Sequence, residues 1–420
     1  MNEDKQNFIN TKIKMLNWAN QFNIFCLLDN NGYSFETPAF ECLLAVGSKR
    51  SISFSEKQNF EYLQSFYDKK PCWLFGHFGY NATSLVYTNN KITNDKFGNG
   101  FFFEPEILIK LSNNNIEILK SDIEPQIIIE QIENFTHQKI DINCTINISQ
   151  ALTKEKYVEK ITQLKAHIKR GDCYEINFCY QFFANNVEID PIEKYYKLTQ
   201  ISPAPFAALY KLDKQYCLCA SPERFLQKKG QQLISQPIKG TSKRDKNALI
   251  DEKNKNHLLL SEKEKSENVM VVDLVRNDMS MVCEKGSVKV KELFGIYSFP
   301  QVHQMISTIE GILSPQKTFT EAIKACYPMG SMTGAPKQRV MELISEYEEN
   351  ERGLFSGSIG YINPQADFDF NVVIRSVFYD TEEKKVTFNA GSGITFNSNA
   401  EEEYEECLSK AAALIEVLKD

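Results

Sequence analysis

Strand-like and helix-like blocks alternate along this chain without the regular βαβ rhythm that a parallel sheet requires, and this irregularity constrains the fold most. Over the first 120 residues, apolar runs at 22–28, 72–78 and 101–111, separated by Asn-Gly and Asn-Asn turns, read as short strands. Residues 112–150 are polar, rich in Asn and Ile, and read as a peripheral excursion. From Thr153 the pattern sharpens. Thr153-Lys154-Glu155-Lys156 starts a helix, Tyr157, Ile161, Leu164 and Ile168 follow at helical spacing, and Gly171 stops it. Residues 174–183 read as a strand, 207–220 as a hairpin around Lys211-Leu212-Asp213-Lys214, and 261–277 as a long helix. Pro336 sits in the first turn of another helix, with Val340, Leu343, Ile344 and Tyr347 on one face. Strands at 356–362, 371–379 and 386–390 precede a final helix from about Ala400. The predicted class is α+β, in layers.

The 420 residues allow two or three domains, or one large one, and 42% apolar content with 12% aromatic residues supports a substantial core. Acids outnumber bases by 55 to 48, with the signs interspersed, which argues against nucleic acid as the main partner. A small anionic substrate stays open, because local basic groups decide its binding. The polar, acidic start lacks the apolar core of a signal peptide, and no stretch approaches the roughly 18 apolar residues of a membrane span. The 11 cysteines are scattered and the histidines number only 5, which reads as reduced thiols in a cytoplasmic protein without a structural metal.

Lys239 is the residue with the most chemical promise. In Gln236-Pro237-Ile238-Lys239-Gly240-Thr241 it follows a strand-like run and precedes a flexible glycine. Pointed inward and neutral it is a nucleophile; pointed outward it is an ordinary turn lysine. Glu223, in Ser221-Pro222-Glu223-Arg224-Phe225, lies 16 positions earlier, a span that fits neighbouring hairpin strands and an acid-plus-nucleophile pair. Glu267 stands beside a nearly all-apolar stretch, which draws it to the buried edge of its helix. Glu403, Glu406 and Lys410 share one face of the last helix. Alone that face is a solvated ion pair; with Glu267 it offers the carboxylates that Mg²⁺ takes alongside waters and substrate oxygens. Gly330-Ser331-Met332-Thr333-Gly334-Ala335-Pro336-Lys337 misses the spacing of a phosphate loop and reads as a tight turn walling a pocket. Gly391-Ser392-Gly393, after a strand, offers bare amides to a carboxylate.

In this order, these motifs resemble those of the chorismate-utilising enzymes, from about Thr153 to the C-terminus, and most closely the aminodeoxychorismate synthase component I branch. The segments that carry the resemblance include Pro237-Ile238-Lys239-Gly240-Thr241, the run from Glu267 to Asp278, Gly357-Ser358-Ile359-Gly360-Tyr361 and Gly391-Ser392-Gly393-Ile394. The resemblance implies a layered sandwich of two mainly antiparallel sheets flanked by helices. It implies a strand-rich region at 1–150, co-folded with a chorismate-binding catalytic region at 151–420. Lys239 matches a nucleophilic lysine, which must be neutral to act, where anthranilate synthases usually carry alanine. Glu223 matches the general acid, protonated at the start, and His303 a histidine near the substrate ring. Glu267 and Glu406 match Mg²⁺ ligands, with Glu403 close by. Tyr361 and Arg375 match groups that hold the enolpyruvyl carboxylate; Lys410, Thr241, Gly240 and Gly393 resemble further contacts. Glu175 departs from the pattern, standing where amino-transferring relatives usually have glutamine, and is expected either to deprotonate incoming ammonium or to hydrogen-bond as glutamine does. Relatives also carry a tryptophan pocket, and Ser202-Pro203-Ala204-Pro205-Phe206 resembles one of its segments, while Leu27-Leu28-Asp29-Asn30 matches another only in part.

The implied activity is conversion of chorismate and ammonia to 4-amino-4-deoxychorismate through a Lys239 adduct, for para-aminobenzoate and folate synthesis. No G-x-C-x-G elbow is present, so ammonia is expected from a separate glutamine amidotransferase subunit. The alternatives are anthranilate synthase component I, which Lys239 argues against, and a non-catalytic chorismate-binding or amidotransferase-docking subunit.

Overall fold

The structure, a computed structural model, describes residues 3–33, 42–54, 59–83, 96–112, 115–136, 146–299 and 302–419. Two sheets, of 11 and 10 strands, dominate it, and their pairings are antiparallel. In the first, Glu175–Ala184 and Lys385–Ile394 are neighbours near one edge, and Phe206–Leu212, Ile24–Asp29 and Cys42–Val46 lie toward the other. In the second, Lys289–Ser298 pairs with one side of Val302–Ile312 and Gln232–Gln236, continued by Ile238–Lys243, with the other, and Arg224–Lys229, Phe368–Asn371, Ser358–Ile362 and Leu74–Phe78 follow in that order.

Strand alternation sorts the side chains into layers. Phe25 and Leu27 point to one side of the first sheet, where they join Trp18, Tyr157 and Leu414 from helices. Cys26 points to the other side, among Ala208 and Tyr210 of its own sheet and Phe75 and Phe103 of the second. The sheets therefore face each other through that cluster. On the far side of the second sheet, Phe78, Leu226 and Leu233 pack against Phe60, Val271, Val275 and Ile323 of flanking helices. The result is an α+β sandwich of helix, sheet, sheet and helix layers, as predicted.

Local signals account for the best-placed elements. Helix Lys154–Arg170 begins at Thr153, whose side chain accepts from the Lys156 amide, and ends at Gly171 with φ +86°. The hairpin Phe206–Leu212/Gln215–Ser221 forms where expected. Other expectations are corrected. Residues 101–111 are two strands, Gly100–Glu104 and Ile107–Ser112, in different sheets, with Pro105 between them. The opening segment contains helix Glu3–Ala19, and Asn59–Lys69 is a second helix. The first escapes periodicity reading because Met15, Leu16, Trp18 and Ala19, its fully buried residues, all lie near its end. Helix Ala248–Leu260 buries Leu258 alone and so has no apolar face to read. Gly391, Ser392 and Gly393 lie inside strand Lys385–Ile394, laddered against Glu175–Ala184, rather than in a loop after it.

Both sheets draw on both parts of the chain: Ile24–Asp29 pairs with Phe206–Leu212, and Leu74–Phe78 with Ser358–Ile362. Among the described residues no helix is long and apolar enough to cross a membrane.

Candidate active site

Two sheet edges meet at Lys239. The ladder between Ile238–Lys243 and Val302–Ile312 shifts register between Ile238 and Thr241, where Gly240 takes φ +86°. Lys239 turns inward there, 9% exposed, and its Nζ donates to Glu175 Oε1 at 2.5 Å. Glu175 opens Glu175–Ala184 and is itself buried, with Oε2 lacking a hydrogen-bond partner among the described residues. Gly393 makes room for the pair: a Cβ on it would lie 2.8 Å from Glu175 Oε1 and 3.1 Å from Lys239 Nζ.

The resting geometry favours the protonated amine, whereas the expected reaction requires the neutral one. Burial pushes Lys239 down, but the nearby carboxylates of Glu175, Glu267 and Glu223 outweigh it and hold the amine protonated. Glu223 is buried, and burial lifts its carboxyl to about 7, against the opposing pull of Ser331 and Lys239. Ser331 Oγ donates to Glu223 Oε1 at 2.6 Å. The expected hairpin relation between Glu223 and Lys239 forms: Arg224–Lys229 pairs with Gln232–Gln236, and Ile238–Lys243 continues that strand past Pro237 along the same side of Val302–Ile312.

Helix Glu262–Ser280, capped by the Ser261 side chain, carries Glu267 on its buried side. Burial raises Glu267 to about 7; Lys239 opposes, and Glu175 and Glu264 add to the rise. Its Oε1 is buried and has no hydrogen-bond partner among the described residues. From helix Ala400–Lys419, buried Glu403 lies 3.5 Å from Lys263, and Glu406 pairs with Lys410 at 2.7 Å. Burial pushes Glu406 up, but Lys410 draws it below the ordinary carboxylate range. Among the described residues no three His, Cys, Asp or Glu side chains form a ready metal cage. The donor chemistry nonetheless fits a hard divalent cation, since Glu267 leaves a buried oxygen unpartnered and Glu406 supplies a second carboxylate.

Lys410 Nζ also donates to Gly391 O at 2.9 Å, and Arg375, at φ +53°, donates through Nη1 to Lys410 O at 3.0 Å. Arg375, Lys410 and Glu406 are therefore brought together. Thr241 lies exposed on the edge strand.

Two predicted site residues lie elsewhere. His303 has both ring nitrogens engaged, with Ser298 Oγ at 2.8 Å and Asp251 Oδ1 at 3.1 Å, so it faces helix Ala248–Leu260 rather than Lys239. Tyr361 packs against Trp73 and Phe75, with ring centroids at 5.5 and 6.1 Å, and lines a separate cavity with Leu28, Asp29, Phe206 and Asn371. That cavity brings together the two segments that resemble a tryptophan pocket.

Sequence reasoning missed Ser331 and Arg352. In the sequence Ser331 stands out only as part of a glycine-rich turn. Arg352, fully buried, donates to Met332 O at 2.6 Å, to Asn177 O at 2.8 Å and to both oxygens of Glu348. Nothing in its local sequence marks it. Lys337, at the end of the glycine-rich turn, is tied to Asp278 at 2.6 Å, a structural anchor that leaves no phosphate loop.

Known proteins share this fold. The chain is 35% identical to aminodeoxychorismate synthase component 1 of Escherichia coli K12 over 309 residues, which cover 74% of this chain and 66% of that protein. The chain thus spans just under two thirds of that relative. It is 33% identical to an anthranilate synthase component I-like protein of Synechocystis over 358 residues, 83% of this chain and 72% of that one. The fold superimposes on anthranilate synthase component I of Streptococcus pneumoniae TIGR4 with a TM-score of 0.77, at 24% identity, covering 90% of this chain and 93% of that one. The profile of the chorismate binding enzymes matches residues 25–416, nearly the whole chain. With that match, the sandwich and the clustered acids and bases at its edge, this chain belongs to the chorismate binding enzyme family.

Proposed function

We propose that this chain converts chorismate and ammonia into 4-amino-4-deoxychorismate and water, with Lys239 as covalent nucleophile. The observation that carries this reading is a buried amine at the meeting of two sheet edges, sharing its site with Glu223, a carboxyl held at about 7. A carboxyl at that value is available as a proton donor near neutral pH. The name of the Escherichia coli relative supports the same reaction.

In this reading Lys239 Nζ bonds to ring C2 while Glu223 gives its proton to the C4 hydroxyl, which leaves as water. Ammonia then bonds to C4, the C2–N bond breaks, and the lysine is released. Arg375 and Lys410 answer the two carboxylates of the substrate, with Gly240, Thr241 and Gly393 as further contacts to it. Glu267 and Glu406, with Glu403 close by, would hold Mg²⁺, which when bound supplies compact positive charge beside a substrate carboxylate. Ammonia comes from a separate glutamine amidotransferase subunit, and the product feeds para-aminobenzoate and folate synthesis in the cytoplasm.

The test is incubation of purified protein with chorismate, Mg²⁺ and an ammonium salt. 4-Amino-4-deoxychorismate, trapped by an added lyase as para-aminobenzoate, is the expected product, and Lys239→Ala abolishes it. Anthranilate with pyruvate would identify an anthranilate synthase instead, and absence of turnover a binding subunit.

A further inference from the structure

The protonated state of Lys239 leaves its proton to be accounted for, because an ammonium has no lone pair for attack on carbon. Arg375 and Lys410 are cations and cannot accept it. Glu223 is committed to the leaving hydroxyl in the proposed reaction, and Glu267 to the metal. Glu175 alone among these groups touches Nζ, at 2.5 Å, with 3% of its side chain exposed. It accepts that bond through Oε1, and among the described residues its buried Oε2 has no partner, so that oxygen is free to take a proton.

We propose that Glu175 is the catalytic base that takes the proton from Lys239, so that the resting ion pair becomes a neutral amine beside a carboxylic acid when substrate fills the site. This rests on the Lys239 reading above and assigns Glu175 to the lysine rather than to incoming ammonium. Substrate filling the site displaces the remaining water from the pair, and lower polarity disfavours both charged partners together. The protons balance. Glu175 takes one from Lys239 Nζ, and the free amine bonds to C2 while Glu223 gives its own to the departing hydroxyl. The C2 adduct nitrogen is then a secondary ammonium. When ammonia bonds to C4 and the C2–N bond breaks, Lys239 leaves as a neutral amine and the new C4 ammonium returns a proton to Glu223. Glu175 hands its proton back to Lys239, which restores the starting pair.

Two readouts of Glu175→Gln separate this from a hydrogen-bonding role. Glutamine keeps a contact to Nζ but cannot take a proton. With chorismate, Mg²⁺ and saturating ammonium, kcat is expected to fall about a hundredfold, with KM for chorismate within about threefold. In the free enzyme the same change removes the nearest carboxylate from Lys239. Its labelling by an amine-reactive electrophile at mildly alkaline pH, followed by mass spectrometry, is therefore expected to speed up. The other charges that face Lys239 stay in place: Glu223 from the neighbouring strand, Glu264 and Glu267 from helix Glu262–Ser280, and Glu406 from the last helix. Slower turnover with faster labelling is the expected signature. Wild-type kcat in Glu175→Gln overturns the inference, as does a loss confined to KM for ammonia, which would return Glu175 to the ammonium. A Lys239→Ala variant that still forms the amino product overturns the nucleophile reading itself, a different result from either.

Discussion

Ser331 and Glu223 are joined by a 2.6 Å hydrogen bond in which the hydroxyl donates to a carboxyl that burial has lifted to about 7. The bond favours the ionised form and so holds the value down. A hydrogen bond to a charged group is worth ~1.5–3 kcal/mol, and its loss in Ser331→Ala should raise the Glu223 carboxyl further. A general acid must be protonated, so wild-type kcat is expected to fall as pH rises through about 7. In Ser331→Ala that falling limb moves to higher pH. Profiles of kcat, taken with free ammonia held constant, check the shift; a limb that stays in place would mean that another group controls it.

Arg352 couples the two halves of the site from behind. It binds Met332 O in the turn that carries Ser331 and Asn177 O in the strand that carries Glu175, while its charge is matched by Glu348. Its planar fork makes these contacts together, which lysine cannot reproduce. Arg352→Lys is expected to cost about 2–4 kcal/mol of stability, since Glu348 is left buried with a poorer partner. Ser331 and Glu175 would also lose their shared support, so kcat should drop while KM for chorismate changes little. Thermal melting and steady-state kinetics test the pair of effects; an unchanged melt with unchanged kcat would rule the coupling out.

What the sequence revealed and what it hid divide along a physical line. Lys154–Arg170 was legible because its cap, apolar spacing and terminal glycine are all local. Helix Ala248–Leu260 was not, because it buries one residue and has no apolar face. The inward turn of Lys239 was legible as an option through Gly240, but its protonation was not. That depends on Glu175, 64 positions away, and on Glu267 from a different layer. Tyr361 carries the same kind of lesson. It lies on the second sheet as its motif suggests, but strand alternation turns its ring toward Trp73 and Phe75.

The position of Tyr361 makes a direct prediction. Its ring lines the cavity with Leu28, Asp29 and Phe206, whereas Lys239, Glu175 and Gly393 meet at the joined sheet edges. Tyr361→Phe keeps the ring packing and removes only the hydroxyl. Its kcat and its KM for chorismate are expected to stay within about twofold of wild type, as for a residue outside the reacting complex. A rise in KM of tenfold or so at unchanged melting temperature would place the hydroxyl on the substrate after all.

Sheet pairing makes a further prediction about residues 1–150, which we propose are not an independent unit. Removing them strips Ile24–Asp29 from Phe206–Leu212 and Leu74–Phe78 from Ser358–Ile362. Each loss opens a row of unpaired backbone groups in the middle of a sheet. It also uncovers Ala208, Tyr210 and Ile359, which pack between the sheets against Cys26, Phe75 and Phe103. A fragment of residues 151–420 is therefore expected to aggregate, or to lack a cooperative melt. Co-expression with residues 1–150 as a separate chain should recover soluble protein, because the missing strands add at existing edges. The measurements are size-exclusion chromatography and calorimetry of the fragment with and without its complement. A monodisperse, cooperatively melting 151–420 fragment would show that the catalytic region folds on its own and that the N-terminal strands are an addition to it.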